Sequence, residues 1–164
     1  SFRKLLEVIG PGREVTEFNY RIADSDTAHV FVGLQVRGRD EARRLAQGFE
    51  DAGLPALDLT DDELAKLHLR HLVGGRTTLA DDEVLHRYEF PERPGALVRF
   101  LAAMAPGWNI SLFHYRGHGS DVGRVLVGMQ VPPSDRAAFD TFRETLGYRS
   151  WDETDNPAYR QFLR

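Results

Sequence analysis

Apolar residues fall at Phe2, Leu5, Leu6 and Ile9, the i, i+3, i+4, i+7 stripe of an amphipathic helix. Leu97, Phe100, Leu101 and Met104 repeat the spacing and predict a second helix. Pro94-Gly95 stands before it, where proline needs no N–H partner. Pro11-Gly12 and Pro106-Gly107 stop the two helices. Residues 15–20 and 110–115 then read as strands, and 117–121 as a turn. Val30, Val32, Leu34 and Val36 alternate with His29, Phe31, Gly33 and Gln35, which predicts a further strand, and 125–131 does the same. Helices follow over 40–52, with Leu45, Ala46 and Phe49 inward, and over 135–146, with Phe139, Phe142 and Leu146 inward. Gly53 and Gly147 end them, and Ser134 is the expected N-cap of the later one. Short strands at 54–59 and 148–152 and short helices at 61–71 and 156–163 close the pattern.

The pattern occurs twice because the sequence does. Residues 14–36 and 109–131 align without a gap at an offset of 95, with ten of 23 positions identical. Phe18/Phe113, Tyr20/Tyr115, Arg21/Arg116, Gly33/Gly128 and Gln35/Gln130 are among them. At an offset of 94, Asp58, Thr60, Asp61, Leu69 and Arg70 match Asp152, Thr154, Asp155, Leu163 and Arg164. Each copy runs strand, helix, strand, strand, helix, strand, the ferredoxin-like βαββαβ order of an α+β protein. The expected division is 1–74 and 75–164, with 72–82 as linker. The apolar run 84–90 and the PERPGAL that follows have no counterpart before Ser1. The first copy is therefore expected to lack its opening strand, and the chain to be a piece of something longer.

At 41% hydrophobic and 28% charged, the 164 residues can bury a core and do not read as a disordered tail. A net charge of −4 argues against a general nucleic-acid binder. No stretch approaches the roughly 18 apolar residues of a membrane span. With zero cysteines there is no disulfide, zinc-thiolate site or thiol nucleophile, and a cytoplasmic location is the expectation.

Catalytic chemistry is sparse. His68 and His71 are i, i+3 on a predicted helix, but nothing in the sequence places a third metal ligand. His114 and His118 lack the helical spacing and glutamate of a zincin pair. GHGSDVG at 117–123 lies between two strands rather than before a helix, against a phosphate loop. The acidic clusters Asp61-Asp62-Glu63 and Asp81-Asp82-Glu83 read as helix caps or solvated loops. Neither lysine, Lys4 or Lys66, has a Schiff-base context. No catalytic residue and no metal ligand is assigned.

Two aromatic-polar strands remain, Phe18-Asn19-Tyr20-Arg21 and Phe113-His114-Tyr115-Arg116. Phe18 and Tyr20 face one side, Asn19 and Arg21 the other. One reading is structural: Phe and Tyr are core, Arg a surface ion-pair partner. The other is a pocket for a free amino acid. A loop before a helix offers N–H groups to a carboxylate. Asn, Tyr and backbone carbonyls hold an ammonium, and Leu97, Leu112 and Phe113 wall an aliphatic side chain.

VTEFNYR at 15–21, HLRHLVGGR at 68–76, YEFPERPGAL at 88–97 and WNISLFHYR at 108–116 give the chain a closer likeness. It resembles the C-terminal regulatory region of biosynthetic threonine dehydratases, a pair of ACT-like subdomains. The resemblance implies binding of isoleucine, which inhibits, and of valine, which counteracts. It implies a catalytic domain of the same polypeptide that uses pyridoxal phosphate, with no cofactor and no activity in this chain. It implies a homo-oligomer, a tetramer of the full enzyme. The sheet edge or apolar face left uncovered by the missing first strand makes a dimer of this fragment the expectation. The effector tyrosines map to Tyr20 and Tyr115, and implicated arginines to Arg116 and Arg70. The expected effector set is Phe18, Asn19, Tyr20, Pro94, Gly95, Leu97, Asn109, Leu112, Phe113, His114 and Tyr115. Arg21, Arg70 and Arg116 are the expected coupling residues. The alternative is a free-standing ACT-like module that binds amino acids or mediates assembly.

Overall fold

The computed structural model describes the chain apart from residues 1, 24, 64, 66–75, 92–94, 104–107 and 117–121, with backbone alone for Arg116 and Gln161. In chain order the elements are α1 (Phe2–Ile9), β1 (Val15–Arg21), β2 (Val30–Leu34), α2 (Arg39–Asp51), β3 (Glu83–Pro91) and α3 (Ala96–Ala103). Then come β4 (Asn109–Arg116), β5 (Val122–Gln130), α4 (Arg136–Leu146), β6 (Arg149–Asp152) and α5 (Pro157–Phe162). The strands form one antiparallel sheet in the order β2-β1-β4-β5-β3-β6. This is the expected α+β arrangement of two ferredoxin-like copies, joined edge to edge.

The join is a local two-fold. β1 and β4, which the repeat makes equivalent, pair so that Phe18 opposes Tyr115, Asn19 opposes His114 and Tyr20 opposes Phe113. One main core lies on the helix side of the sheet. Phe18, Tyr20, Val84, Tyr88, Phe90, Phe113, Val125 and Val127 from the strands meet Phe100 of α3 and Phe139 and Phe142 of α4 there. Phe2 and Leu5 of α1 pack onto the same cluster. A smaller cluster of Leu85, Leu112 and Tyr159, with Leu126 and Leu163 against it, covers the opposite face and docks α5.

The repeat-identical glycines have a local cause. Both copies carry a register irregularity, between Val15 and Glu17 in β1 and between Ile110 and Leu112 in β4. A Cβ at Gly33 would lie 2.6 Å from Thr16 Oγ1, and one at Gly128 would lie 3.0 Å from Ser111 Oγ. Glycine gives each bulge its room.

Several expectations are corrected. Residues 54–59 form no strand. In the second copy the equivalent strand β6 pairs with β3, and among the described residues the first copy has no counterpart of β3 to pair with. Leu45, Ala46 and Phe49 of α2 are only half-buried, because the first copy supplies two strands to the sheet and the second supplies four. Ser134 is not the cap of α4. A 3₁₀ turn, Pro133–Asp135, precedes the helix, Asp135 takes the N-cap position, and its carboxylate accepts from Trp108 Nε1 at 3.1 Å. α1 ends at Ile9, with Gly10 left-handed at φ 87° ahead of Pro11. The expected helix at 61–71, the stop at 106–107 and the turn at 117–121 lie mostly or wholly outside the described residues.

Candidate functional site

The alternation of β1 and β4 sorts the expected site residues onto two faces of the sheet. On the helix side, Phe18 and Phe113 stack edge to face at 5.3 Å between ring centroids. Phe2, arriving from α1, sets its ring edge-on to Phe18 at 5.5 Å and to Tyr20 at 5.0 Å. Leu97 of α3 and Tyr115 are half-buried and pack on the same cluster. Burial raises the Tyr20 phenol above its ordinary range, with Arg21 pulling the other way. Gly95, just before α3, is left-handed at φ 87°, exposed, and open on the side where a Cβ would point.

Phe18, Tyr20, Leu97, Phe113 and Tyr115 are thus brought together under α1 and α3. Four expected residues are not. Leu112 points away from Phe113 and packs with Leu85 and Tyr159, so the two cannot wall one pocket. Asn19 and His114 oppose each other on that same far side, Asn19 at 3% exposure and His114 exposed. Asn109 sits at the other end of β4, roughly 20 Å of strand from Tyr115, where its Nδ2 donates to Gln130 Oε1 at 2.7 Å. Pro94 and Arg70 lie outside the described residues, and of Arg116 the structure gives its strand position opposite Glu17.

Arg21 is no surface ion-pair partner. It is buried, and its Nη1 lies 2.6 Å from Glu83 Oε2 in a pair whose side chains are 2% and 1% exposed. Tyr159 Oη donates to Glu83 Oε1 at 2.5 Å, and Ser111 Oγ donates to Oε2. The reading of Asp81-Asp82-Glu83 as a solvated cluster therefore fails at its last member. Asp81 and Asp82 occupy an exposed turn, but Glu83 opens β3. Its period-two relation to Leu85, whose face is buried, is the signal in the sequence that places it inside.

A second polar set lies on the helix side of the sheet, without a sign in the sequence. His86 Nδ1 and Nε2, Tyr88 Oη and Arg143 Nε are buried with no hydrogen-bond partner among the described residues, as is Asn19 Oδ1 on the far face. Burial, with Arg143 beside it, lowers His86 to about 4, and burial raises Tyr88. His68 and His71 lie outside the described residues. Among the described residues no helix is long and apolar enough to cross a membrane.

One complete βαββαβ copy and a first copy that contributes two strands, joined through β1 and β4 with an aromatic seam at the join, define a paired ACT-like module. The family model for the C-terminal regulatory domain of threonine dehydratase matches residues 1–69 and 74–163, and the chain belongs to that family. It is 56% identical over 163 residues to the L-threonine dehydratase biosynthetic IlvA of Burkholderia multivorans, and 50% identical over 164 residues to that of Escherichia coli. It is 42% identical over 173 residues to the mitochondrial threonine dehydratase of Saccharomyces cerevisiae. In the two bacterial comparisons 99% of the chain is covered but 32% of the relative, and in the yeast comparison 100% and 30%. The chain spans about a third of the length of these relatives and matches their regulatory region.

Proposed function

We propose that the β1·β4 seam binds isoleucine and valine, and that the chain regulates a catalytic domain of the same polypeptide. That domain converts threonine to 2-oxobutanoate and ammonia. The observation that carries the reading is the pairing of Phe18 with Tyr115 and of Tyr20 with Phe113. Gly95, left-handed, leads into α3, and Leu97 of that helix packs on the same core as the two aromatic strands. Free N–H groups at that helix start suit a carboxylate. Leu97, Phe2 and Phe113 offer an apolar wall for an aliphatic side chain. Tyr20 and Tyr115 each combine an apolar ring with a hydroxyl. The effector set is Phe18, Tyr20, Pro94, Gly95, Leu97, Phe113 and Tyr115, with Phe2 added.

Arg21, through its buried pair with Glu83, couples the seam to the rest of the chain. Arg70 and Arg116 keep that role on their sequence match. The two subdomains are 1–74 and 75–164, and the protein acts as a homo-oligomer in the cytoplasm. The pyridoxal phosphate of the reaction belongs to the catalytic domain.

Calorimetry on the full-length enzyme tests the reading. Isoleucine and valine bind, while threonine and lysine bind much more weakly, because each buried CH₂ contributes about 0.8 kcal/mol and a buried ammonium tip has no partner there. Tyr115→Leu weakens isoleucine inhibition by at least about tenfold, or roughly 1.4 kcal/mol, with little change in Tm. Full isoleucine sensitivity in that variant overturns the assignment.

A further inference from the structure

On the face of the sheet away from α1 and α3, a single carboxylate joins four segments. Glu83 is 3% exposed at the start of β3. Its Oε2 accepts from Arg21 Nη1 of β1 at 2.6 Å and from Ser111 Oγ of β4, and its Oε1 accepts from Tyr159 Oη of α5 at 2.5 Å. Arg21 also donates through Nη2 to the carbonyl of Leu163, just past α5. The backbone is shaped around this carboxylate: a Cβ on Gly128 would fall 3.0 Å from Glu83 Oε2. Burial, together with the bonded Glu83 carboxylate, raises the Tyr159 phenol, which stays a neutral donor.

A buried ion pair is a weak device for stability, since desolvation offsets most of the attraction. It is a strong device for fixing one arrangement, because a displaced partner leaves a charge buried alone. The arrangement fixed here crosses the repeat boundary. Arg21 comes from the first copy, while Glu83, Ser111 and Tyr159 come from the second. Adjacent residues of one strand tie the two faces together: Tyr20 points into the aromatic seam and Arg21 points to Glu83. A ligand that moves Tyr20 moves the guanidinium on which the C-terminal helix hangs.

We propose that Glu83 is a positioning residue that carries the state of the seam to α5, and that α5 is the element through which effector binding is read out. This deepens the effector reading above and rests on it. α5 fits the part of a detachable element: it is six residues long, held by Tyr159, and Phe162 on it is 63% exposed.

The test uses the full-length enzyme, with three readouts: isoleucine affinity by calorimetry, isoleucine inhibition of activity, and hydrogen exchange across 157–163, where the exchanging amides are those of 158–163 because Pro157 has none. In the wild type, isoleucine changes exchange at 157–163. In Tyr159→Phe the affinity stays within about threefold, the exchange change at 157–163 disappears, and half-inhibition needs at least about tenfold more isoleucine. Glu83→Gln, which keeps the shape and removes the charge, gives the same split. A merely structural role moves affinity and inhibition together, so inhibition that tracks affinity in Tyr159→Phe overturns the proposal. If neither variant folds, the wild-type exchange decides: isoleucine that binds and leaves 157–163 unchanged overturns the proposal alone. Isoleucine that does not bind the wild type overturns the effector reading and this proposal with it.

Discussion

His86 shows how far a residue's environment departs from what its sequence neighbours suggest. It lies in an apolar strand between Leu85 and Arg87, packed 5.1 Å from the ring of Phe139 and 3.9 Å from Asp152. Burial, then the charge of Arg143, lowers it to about 4, against about 6.5 in an unfolded chain. Between those values the unfolded chain binds the extra proton. The stability that neutral His86 confers is therefore complete above pH about 6.5 and is lost as the pH falls toward 4, by at most about 3 kcal/mol. The Glu41 carboxyl is held below the usual glutamate range by the Arg37 backbone N–H and the Arg13 side chain. Urea unfolding at several pH values from about 7 down to about 5 is expected to show the loss in the wild type and a flatter profile in His86→Phe. Equal wild-type stability across that range would mean that the imidazole is not buried neutral. At this scale the aromatic seam was legible, because identical residues at one offset mark Phe18, Tyr20, Phe113 and Tyr115 in both copies. The far face was not. Leu112 and Phe113 are neighbours in sequence but strand alternation sends them to opposite faces, and Glu83 follows two solvated aspartates in a run that reads as surface. Neither Ser111 nor Tyr159 carries a local sign that its hydroxyl meets a carboxylate, since that meeting depends on the pairing of β3 with β5 and on where α5 docks.

At the scale of elements, the periodicities placed every helix and strand of the second copy among the described residues, within a few residues of its ends. The first copy departs from its own pattern where a long-range partner is needed. Residues 54–59 share only Asp58 with their counterpart at 148–153, where Asp152 stands, and have no strand beside them among the described residues; backbone hydrogen bonding across strands cannot be read from one segment. The same asymmetry separates the two long helices. Phe139 and Phe142 of α4 are 3% and 8% exposed, while α2 has no buried residue. Phe139→Ala is accordingly expected to cost about 3–4 kcal/mol, the range for emptying a packed aromatic site, and Phe49→Ala about 1–2 kcal/mol. Denaturant midpoints of the two variants check the ordering. A larger loss for Phe49→Ala would mean that α2 is covered in solution by something beyond α1 and the edge of the sheet.

At the scale of the molecule, the two copies behave as halves of one sheet, and the join between them has the symmetry of a dimer. The pairing of β1 with β4 is the pairing a strand would make with a second copy of itself about an axis through Asn19 and His114. The repeat preserves what that requires, since Phe18 equals Phe113, Tyr20 equals Tyr115 and Arg21 equals Arg116. Residues 75–164 expressed alone would expose the β4 edge and the rings of Phe113 and Tyr115. Two such fragments can restore the seam by pairing β4 with β4 of the second molecule. Phe113 then opposes Tyr115 in both directions, and Arg116 of each molecule takes the place that Arg21 holds opposite Leu112. Glu83 of each fragment receives a guanidinium from its partner, so neither charge is left buried alone. The fragment 75–164 is therefore expected to sediment as a dimer at about 100 µM, a concentration at which even a micromolar association is near complete. Glu83→Ala in the fragment removes the receiving carboxylate and is expected to weaken that dimer, and Tyr115→Asp, which puts a charge into the aromatic seam, to dissociate it. A folded fragment that remains monomeric at that concentration would show that the local two-fold is a product of the linker between the copies rather than of the strands themselves.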